Sequence, residues 1–255
     1  MINLHGILAK HRKVFSGAGM LILISLIFWA VNSPAIVGAS ATQRQLPVYS
    51  VQQSEKVVAL SFDAAWGNED TQELIDILRE HGVQTTFFVV GDWVDKYPES
   101  VRALAEAGHE VMSHSSHHDH FSKLSTEQIQ ADLTACSEKI EAVTGVAPRL
   151  FRCPYGEYDD HVITAVRDLG IEPIQWSVDS LDWKGLSAAE ITQRVLDRIQ
   201  PGSIVLFHNA AEHTPEALPE ILDTLQRQGY RIVPISSLLL EGDTFLDATG
   251  CQCPR

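Results

Sequence analysis

From residue 56 onward, short apolar runs alternate with longer amphipathic stretches. The apolar runs fall at 57–62, 84–90, 110–113, 149–153, 173–178, 203–208 and 231–235. Apolar positions spaced three and four apart predict helices at about 70–81, 98–107, 126–144, 160–169, 187–200 and 215–228. Local chemistry marks the helix ends. "STEQ" from Ser125 and "SAAE" from Ser187 read as capping boxes, in which the serine and the acid or amide three residues on satisfy each other's backbone donors. Thr214 before Pro215 reads as an N-cap followed by a proline that needs no helical N–H. Gly82, Gly108, Gly145, Gly170 and Gly229 stand where the helices should stop. Strand and helix alternating in this way require parallel strands with right-handed crossovers. Seven such strands predict an α/β fold, a distorted (β/α) barrel. No GxGxxG follows the first strand, which argues against an open dinucleotide-binding sheet.

The first 41 residues break this pattern. Lys10, Arg12 and Lys13 precede an uncharged apolar run from Val14 to Val31, and no charge follows until Arg44. A run of that length predicts a membrane-spanning signal-anchor with its basic end in the cytoplasm. "ASA" at Ala39–Ala41 offers a competing signal-peptidase site, which would release a secreted protein. Either outcome puts the remainder outside the cytoplasm. The expected organisation is a basic stub and signal-anchor or signal peptide over 1–41, a polar linker over 42–55, a catalytic domain over 56–240 and a tail over 241–255. Residues 42–255 carry 16 basic and 33 acidic side chains, a net charge of −17 that repels phosphate backbones and argues against nucleic acid as a partner. Of the four cysteines, Cys136 lies on the apolar stripe of a predicted helix and reads as core. Cys251 and Cys253, in the terminal "CQCPR", could pair with each other, pair with another chain or bind nothing.

Active sites of parallel barrels lie at the carboxyl ends of the strands. Asp63 follows the first strand, His114 the third, Arg152 the fourth, Asp179 and Asp182 the fifth, and His208 ends the sixth. A structural ion pair explains any one of these; it explains five strand ends together poorly. In "HSSHHDH", His114 and His118 are four apart, so on a helical turn they face one way and could grip one divalent ion, with Ser115 holding the turn. His117 and His120 then point elsewhere. Zinc is the default for imidazole donors, with cobalt or another first-row ion possible. "RCPYG" puts Arg152 beside a tight path through Pro154, Tyr155 and Gly156 that can aim a backbone N–H at an oxyanion. In "DSLDW", a carboxylate beside His208 can keep that histidine protonated as a general acid. Trp183 suits either a sugar face or core packing.

In order, "SFDAAWG", "HSSHH", "RCPYG", "DSLDW" and "LFH" resemble the five motifs of the polysaccharide deacetylase family, the NodB-homology domain of carbohydrate esterase family 4. The resemblance covers roughly Val57 to Leu240 and is nearest to the membrane-anchored, spore-associated members. It implies hydrolytic removal of acetyl groups from the amino sugars of peptidoglycan or a related envelope glycan, in sporulation. By the resemblance, Asp63 is the general base that activates water, Arg152 positions it, and His114 and His118 ligate the metal. His208 is the general acid tuned by Asp182, the Tyr155 N–H serves the oxyanion, and Trp183, Leu206 and Pro154 line the substrate pocket. The family usually carries a second acid after the first, as a third metal ligand, and here that position is Ala64. Asp70 could reach back as a third ligand, although with Glu73 it also fits a capping box. The competing reading is a catalytically weak or inactive glycan-binding envelope protein.

Overall fold

The computed structural model describes residues 44–255, together with Ile22, Ser25, Phe28 and Trp29. Apart from those four residues, the expected signal-anchor lies outside the described residues, as does the site after Ala41. Among the described residues no helix is long and apolar enough to cross a membrane. One compact unit runs from Gln45 to Arg255.

Its strands are β1 (Ser50–Val51), β2 (Val57–Ala64), β3 (Thr86–Val89), β4 (Glu110–Ser113), β5 (Leu150–Phe151), β6 (Glu172–Pro173), β7 (Val178–Asp179), β8 (Ile204–His208), β9 (Arg231–Ile232), β10 (Thr244–Leu246) and β11 (Cys251–Pro254). Its α-helices are α1 (Thr71–Glu80), α2 (Gly91–Lys96), α3 (Pro98–Glu106), α4 (Thr126–Thr144), α5 (Asp160–Arg167), α6 (Ala188–Leu196), α7 (Thr214–Arg227) and α8 (Ile235–Leu238). Seven parallel strands lie in the order β6-β5-β4-β3-β2-β8-β7, and β9 pairs with the start of β2. This is the seven-stranded parallel α/β arrangement expected, a distorted half-barrel. The side chains of β2 alternate between two environments. Val58, Leu60, Phe62 and Ala64 enter the main apolar core, whereas Ser61 and Asp63 face the polar interior with buried Arg152.

Both serine capping boxes form, and Gly145 ends α4 in the left-handed conformation (φ 75°). Three local expectations change. The apolar run 173–178 is two short strands, because Gln175 turns its N–H to Val48 and its carbonyl to Arg152. The run 231–235 gives a two-residue strand, since Pro234 starts α8. Asp70 precedes α1 without a side-chain cap; its Oδ2 instead accepts the Ala210 N–H at 2.8 Å.

The segments at either end of the expected domain are structured as well. Val48 and Val51 are buried, and residues 48 and 50 bridge to Ile174 and Ser203, across the gap between the barrel's terminal regions. The C-terminal residues fold into the β10–β11 hairpin, which docks on β1. Polar composition gave both stretches the look of a linker and a tail, whereas pairing partners far away in sequence order them.

Candidate active site

Asp63 and Arg152 form the floor of the site. Arg152 Nη1 donates to Asp63 Oδ1 at 2.7 Å, and Nη2 donates to Ser61 Oγ at 2.9 Å and to the Gln175 carbonyl at 3.3 Å. Its guanidinium lies 4.2 Å from the Phe88 ring centroid, an arrangement that favours the cation. Arg152 is fully buried and Asp63 nearly so. Burial alone would raise the Asp63 pKa, yet the charge and hydrogen bond of Arg152, with the charge of His208, hold it below the ordinary value. Asp63 is therefore an ionised carboxylate, fixed by one oxygen and presenting the other.

That second oxygen, Oδ2, lies 3.5 Å from His114 Nε2. His114 Nδ1 sits 2.8 Å from the Arg152 carbonyl and so carries its proton there, which leaves the Nε2 lone pair facing the carboxylate. Burial lowers the His114 pKa and keeps the ring neutral. Two facing lone-pair donors call for a cation. His118 adds a second imidazole: its ring centroid is 5.0 Å from that of His114, and its buried Nδ1 has no hydrogen-bond partner. Desolvation lowers the His118 pKa to about 4, so it too is a neutral ligand at physiological pH. The donor set therefore fits a divalent ion held by two imidazoles.

The two rings meet without a helical turn, which corrects the expectation from spacing. Ser115 and His118 have φ of 74° and 59°, and the Ser115 hydroxyl accepts the His118 N–H at 2.9 Å. Two left-handed residues in a tight loop bring the rings together, so Ser115 does hold the turn. His117 turns to Asp92 and His120 to Glu157. Neither alternative third ligand joins the pair. Ala64 carries no donor; Asp70 Oδ2 accepts the Ala210 N–H and its buried Oδ1 has no partner, but Asp70 does not converge with the two imidazoles. Alanine substitution of His114 or His118 should remove the one equivalent of metal held at this site, while His117→Ala and His120→Ala retain it. Inductively coupled plasma mass spectrometry on the four purified variants checks this, and equal loss from all four would mean a loose chelator.

The opposite wall holds His208. Its Nδ1 donates to Asp182 Oδ1 at 2.8 Å, and its backbone N–H donates to Asp182 Oδ2 at 2.8 Å. Burial opposes the imidazolium, but the hydrogen bond and charge of Asp182, aided by Asp63 and Asp179, raise the His208 pKa. Thr214 Oγ1 donates to the same Asp182 Oδ2 at 2.7 Å. Thr214 was expected to cap a helix; the structure gives that cap position to His213 and turns the threonine to the carboxylate. Only the Thr-Pro pair could have singled it out, and that signal reads equally well as a cap.

At the mouth, Tyr155 has φ 60°, an uncommon conformation for a non-glycine residue that often marks a functional turn. Its exposed ring stacks on His120 and stands edge-on to His118. Pro154 and Leu206 are buried, and Leu206 pairs with Ser61 two positions before the register pair Asp63 and His208. Trp183 is exposed, with Lys184 over its ring, so it is not core. Trp66, unassigned from sequence, also stands exposed, 4.9 Å from the His118 ring. Trp176 was likewise unassigned; it lies over Arg152 and would collide with any Cβ added at Gly156.

Residues 50–174 match the family described as polysaccharide deacetylase. The peptidoglycan-N-acetylmuramic acid deacetylase PdaA of Bacillus subtilis is 32% identical over 193 residues, 73% of this chain and 73% of that protein. The chain belongs to the polysaccharide deacetylase family. A peptidoglycan-N-acetylglucosamine deacetylase of Bacillus cereus is 33% identical over 185 residues, 71% of this chain and 67% of the relative. The chain spans a smaller share, 61%, of the Bacillus subtilis protein YlxY. Among solved structures, the wild-type BA3943 protein of Bacillus anthracis, described as a pseudoenzyme of this family, superposes with a TM-score of 0.74 at 36% identity. That match covers 77% of this chain and 69% of the other. A mutant of that protein, described as having restored enzymatic activity, matches at 37% identity with a TM-score of 0.74, over 77% of this chain and 72% of its own. The family is typically metal-dependent, in keeping with the imidazole pair.

Proposed function

We propose that the chain hydrolyses the acetamido group of N-acetylated amino sugars in peptidoglycan or a related envelope glycan. It would act outside the cytoplasmic membrane, to which its N-terminal segment anchors it. The spore setting suggested by the motifs is part of the same proposal. The observation that carries it is one pair of groups with opposed environments. Asp63 is kept ionised by Arg152, His208 is kept protonated by Asp182, and the two are register partners on adjacent strands. In this reading Asp63 takes a proton from the attacking water, and Arg152 fixes its position. The Tyr155 backbone N–H steadies the oxyanion while His208 delivers a proton to the departing nitrogen, giving acetate and a free amine. A divalent ion on His114 and His118, zinc foremost, would supply Lewis acidity to the carbonyl. Exposed Trp183 offers a face for the sugar, and Leu206 and Pro154 bound the acetyl pocket.

A second reading, a weakly active or inactive glycan binder, is favoured by one observation. Position 64 lacks the carboxylate, and two imidazoles alone bind a metal more weakly than three protein ligands. The likeness to a pseudoenzyme points the same way. Acetate release from N-acetylglucosamine oligomers, with and without added zinc or cobalt, separates the two readings. Ala64→Asp should tighten metal binding and raise the rate at limiting metal. Ala64 is buried against the apolar core at the end of β2, so the new carboxylate must turn away from that core to reach the imidazoles, and unpaired it should also lower metal-free stability by about 1–3 kcal/mol. If neither chain ever releases acetate, the binding reading stands.

A further inference from the structure

The C-terminal hairpin carries a second constellation, away from the residues used above. Asp247, Cys251 and Cys253 bring a carboxylate oxygen and two thiol sulfurs within 4.8 Å of one another. Among the described residues, no other three His, Cys, Asp or Glu side chains converge in this way. The trio is built into a rigid turn. Asp247 Oδ1 accepts the Thr249 N–H at 2.8 Å, the Thr249 hydroxyl at 2.7 Å and the Cys251 N–H at 3.0 Å. All three bonds use one oxygen, which leaves Oδ2 to serve a ligand. Gly250 adopts φ 79°, and a Cβ there would strike the Tyr49 ring and the Pro47 carbonyl, so the hairpin sits tightly on the segment that leads into β1.

The two cysteines stand at alternate positions of β11, so both thiols leave the same face of the strand. Two rises of an extended strand separate such Cα atoms by about 6.6 Å. That is near the upper limit a disulfide spans, and parallel Cβ vectors aim the sulfurs side by side, unlike those of a bridged pair. Side-by-side thiols with a carboxylate beside them suit a soft or borderline cation better than a bond to each other. Cys251 and Asp247 are part-exposed, which gives the ion an entrance and a solvent position to complete its coordination.

We propose that Asp247, Cys251 and Cys253 form a zinc-class cation site that pins the C-terminal hairpin. On binding, the two thiols release their protons to solvent and the sulfurs coordinate as thiolates. β11 pairs with β1 at Ser50 and Val51, and Ser50 bridges onward to Ser203, beside β8. The ion therefore fastens the strand that spans the barrel's gap. Its role is structural, and it is independent of the imidazole pair.

Cadmium, a thiophilic probe for such sites, tests this on the reduced full chain carrying His114→Ala and His118→Ala. One equivalent should produce a thiolate-to-metal charge-transfer band and raise the thermal midpoint. Cys251→Ser and Cys253→Ser should each abolish the band. Asp247→Asn keeps the Oδ1 acceptor and hence the turn, so it should retain the band while binding roughly tenfold more weakly, and this variant decides the matter if a serine variant fails to fold. Absence of a band in the parent, its survival in either serine variant, or unchanged affinity in Asp247→Asn would overturn the site. So would a thiol count two short of four in the untreated protein with its mass lowered by one disulfide.

Discussion

Arg152→Met is expected to destabilise the fold by about 3–5 kcal/mol at neutral pH, the usual consequence of stripping one partner from a buried ion pair. The loss has three sources. Asp63 would keep a buried charge with only His114 near its free oxygen, the Ser61 hydroxyl and the Gln175 carbonyl would lose a donor, and Phe88 would lose the cation over its ring. The pH dependence gives a signature. In the parent, the folded pKa of Asp63 is depressed below its ordinary 3.8, so the stability it contributes is present above that value and is lost as pH falls through the folded pKa. In the variant burial acts unopposed by Arg152 and raises that pKa, so protonation relieves the cost. The gap between parent and variant should narrow from pH 7 to pH 5. Urea unfolding at the two pH values measures it, and Arg152→Met combined with Asp63→Asn should recover part of the loss. A deficit under about 1 kcal/mol would mean the pair does little for the fold.

Asp182→Asn should lower deacetylation by about 10²–10⁴-fold, the range associated with a positioned general acid. It should also move the alkaline limb of the rate profile. The imidazolium of His208 survives to higher pH because Asp182 outweighs burial, so activity that needs the acid falls as pH rises through that raised pKa. Without the carboxylate, burial prevails, the pKa drops and the limb shifts to lower pH. A structural role alone would lower the rate without moving the limb. The amide also places a donor against the His208 N–H and the Thr214 hydroxyl, so a loss of about 1–3 kcal/mol in stability accompanies the kinetic effect. Measuring acetate release against pH at saturating metal, in the Ala64→Asp background if the parent is slow, separates the two contributions. An unmoved limb would remove His208 from the role of acid.

How much of this was legible beforehand depends on the range of the interaction. Helix α4 runs over the very residues 126–144 that periodicity marks, with its capping box and terminal glycine in place, because each signal is settled within a turn or two of backbone. The order of strand and helix dictates parallel strands, and these carry Asp63, His114, Arg152 and His208 to one end. The sequence by itself therefore determined the barrel and the chemistry gathered at its mouth, because periodicity and capping are local and crossover handedness follows from them. It could not determine which partner each polar group would choose. Asp63 finds Arg152 across 89 positions and Asp182 finds Thr214 across 32, contacts that exist only once the strands are in register. Tertiary structure alone took Thr214 and Asp70 away from their caps, joined His114 to His118 through left-handed residues, and made strands of an apparent linker and tail. In each case a buried polar group or an unpaired strand edge found its best partner far along the chain, and that satisfaction outweighed the weaker local preference.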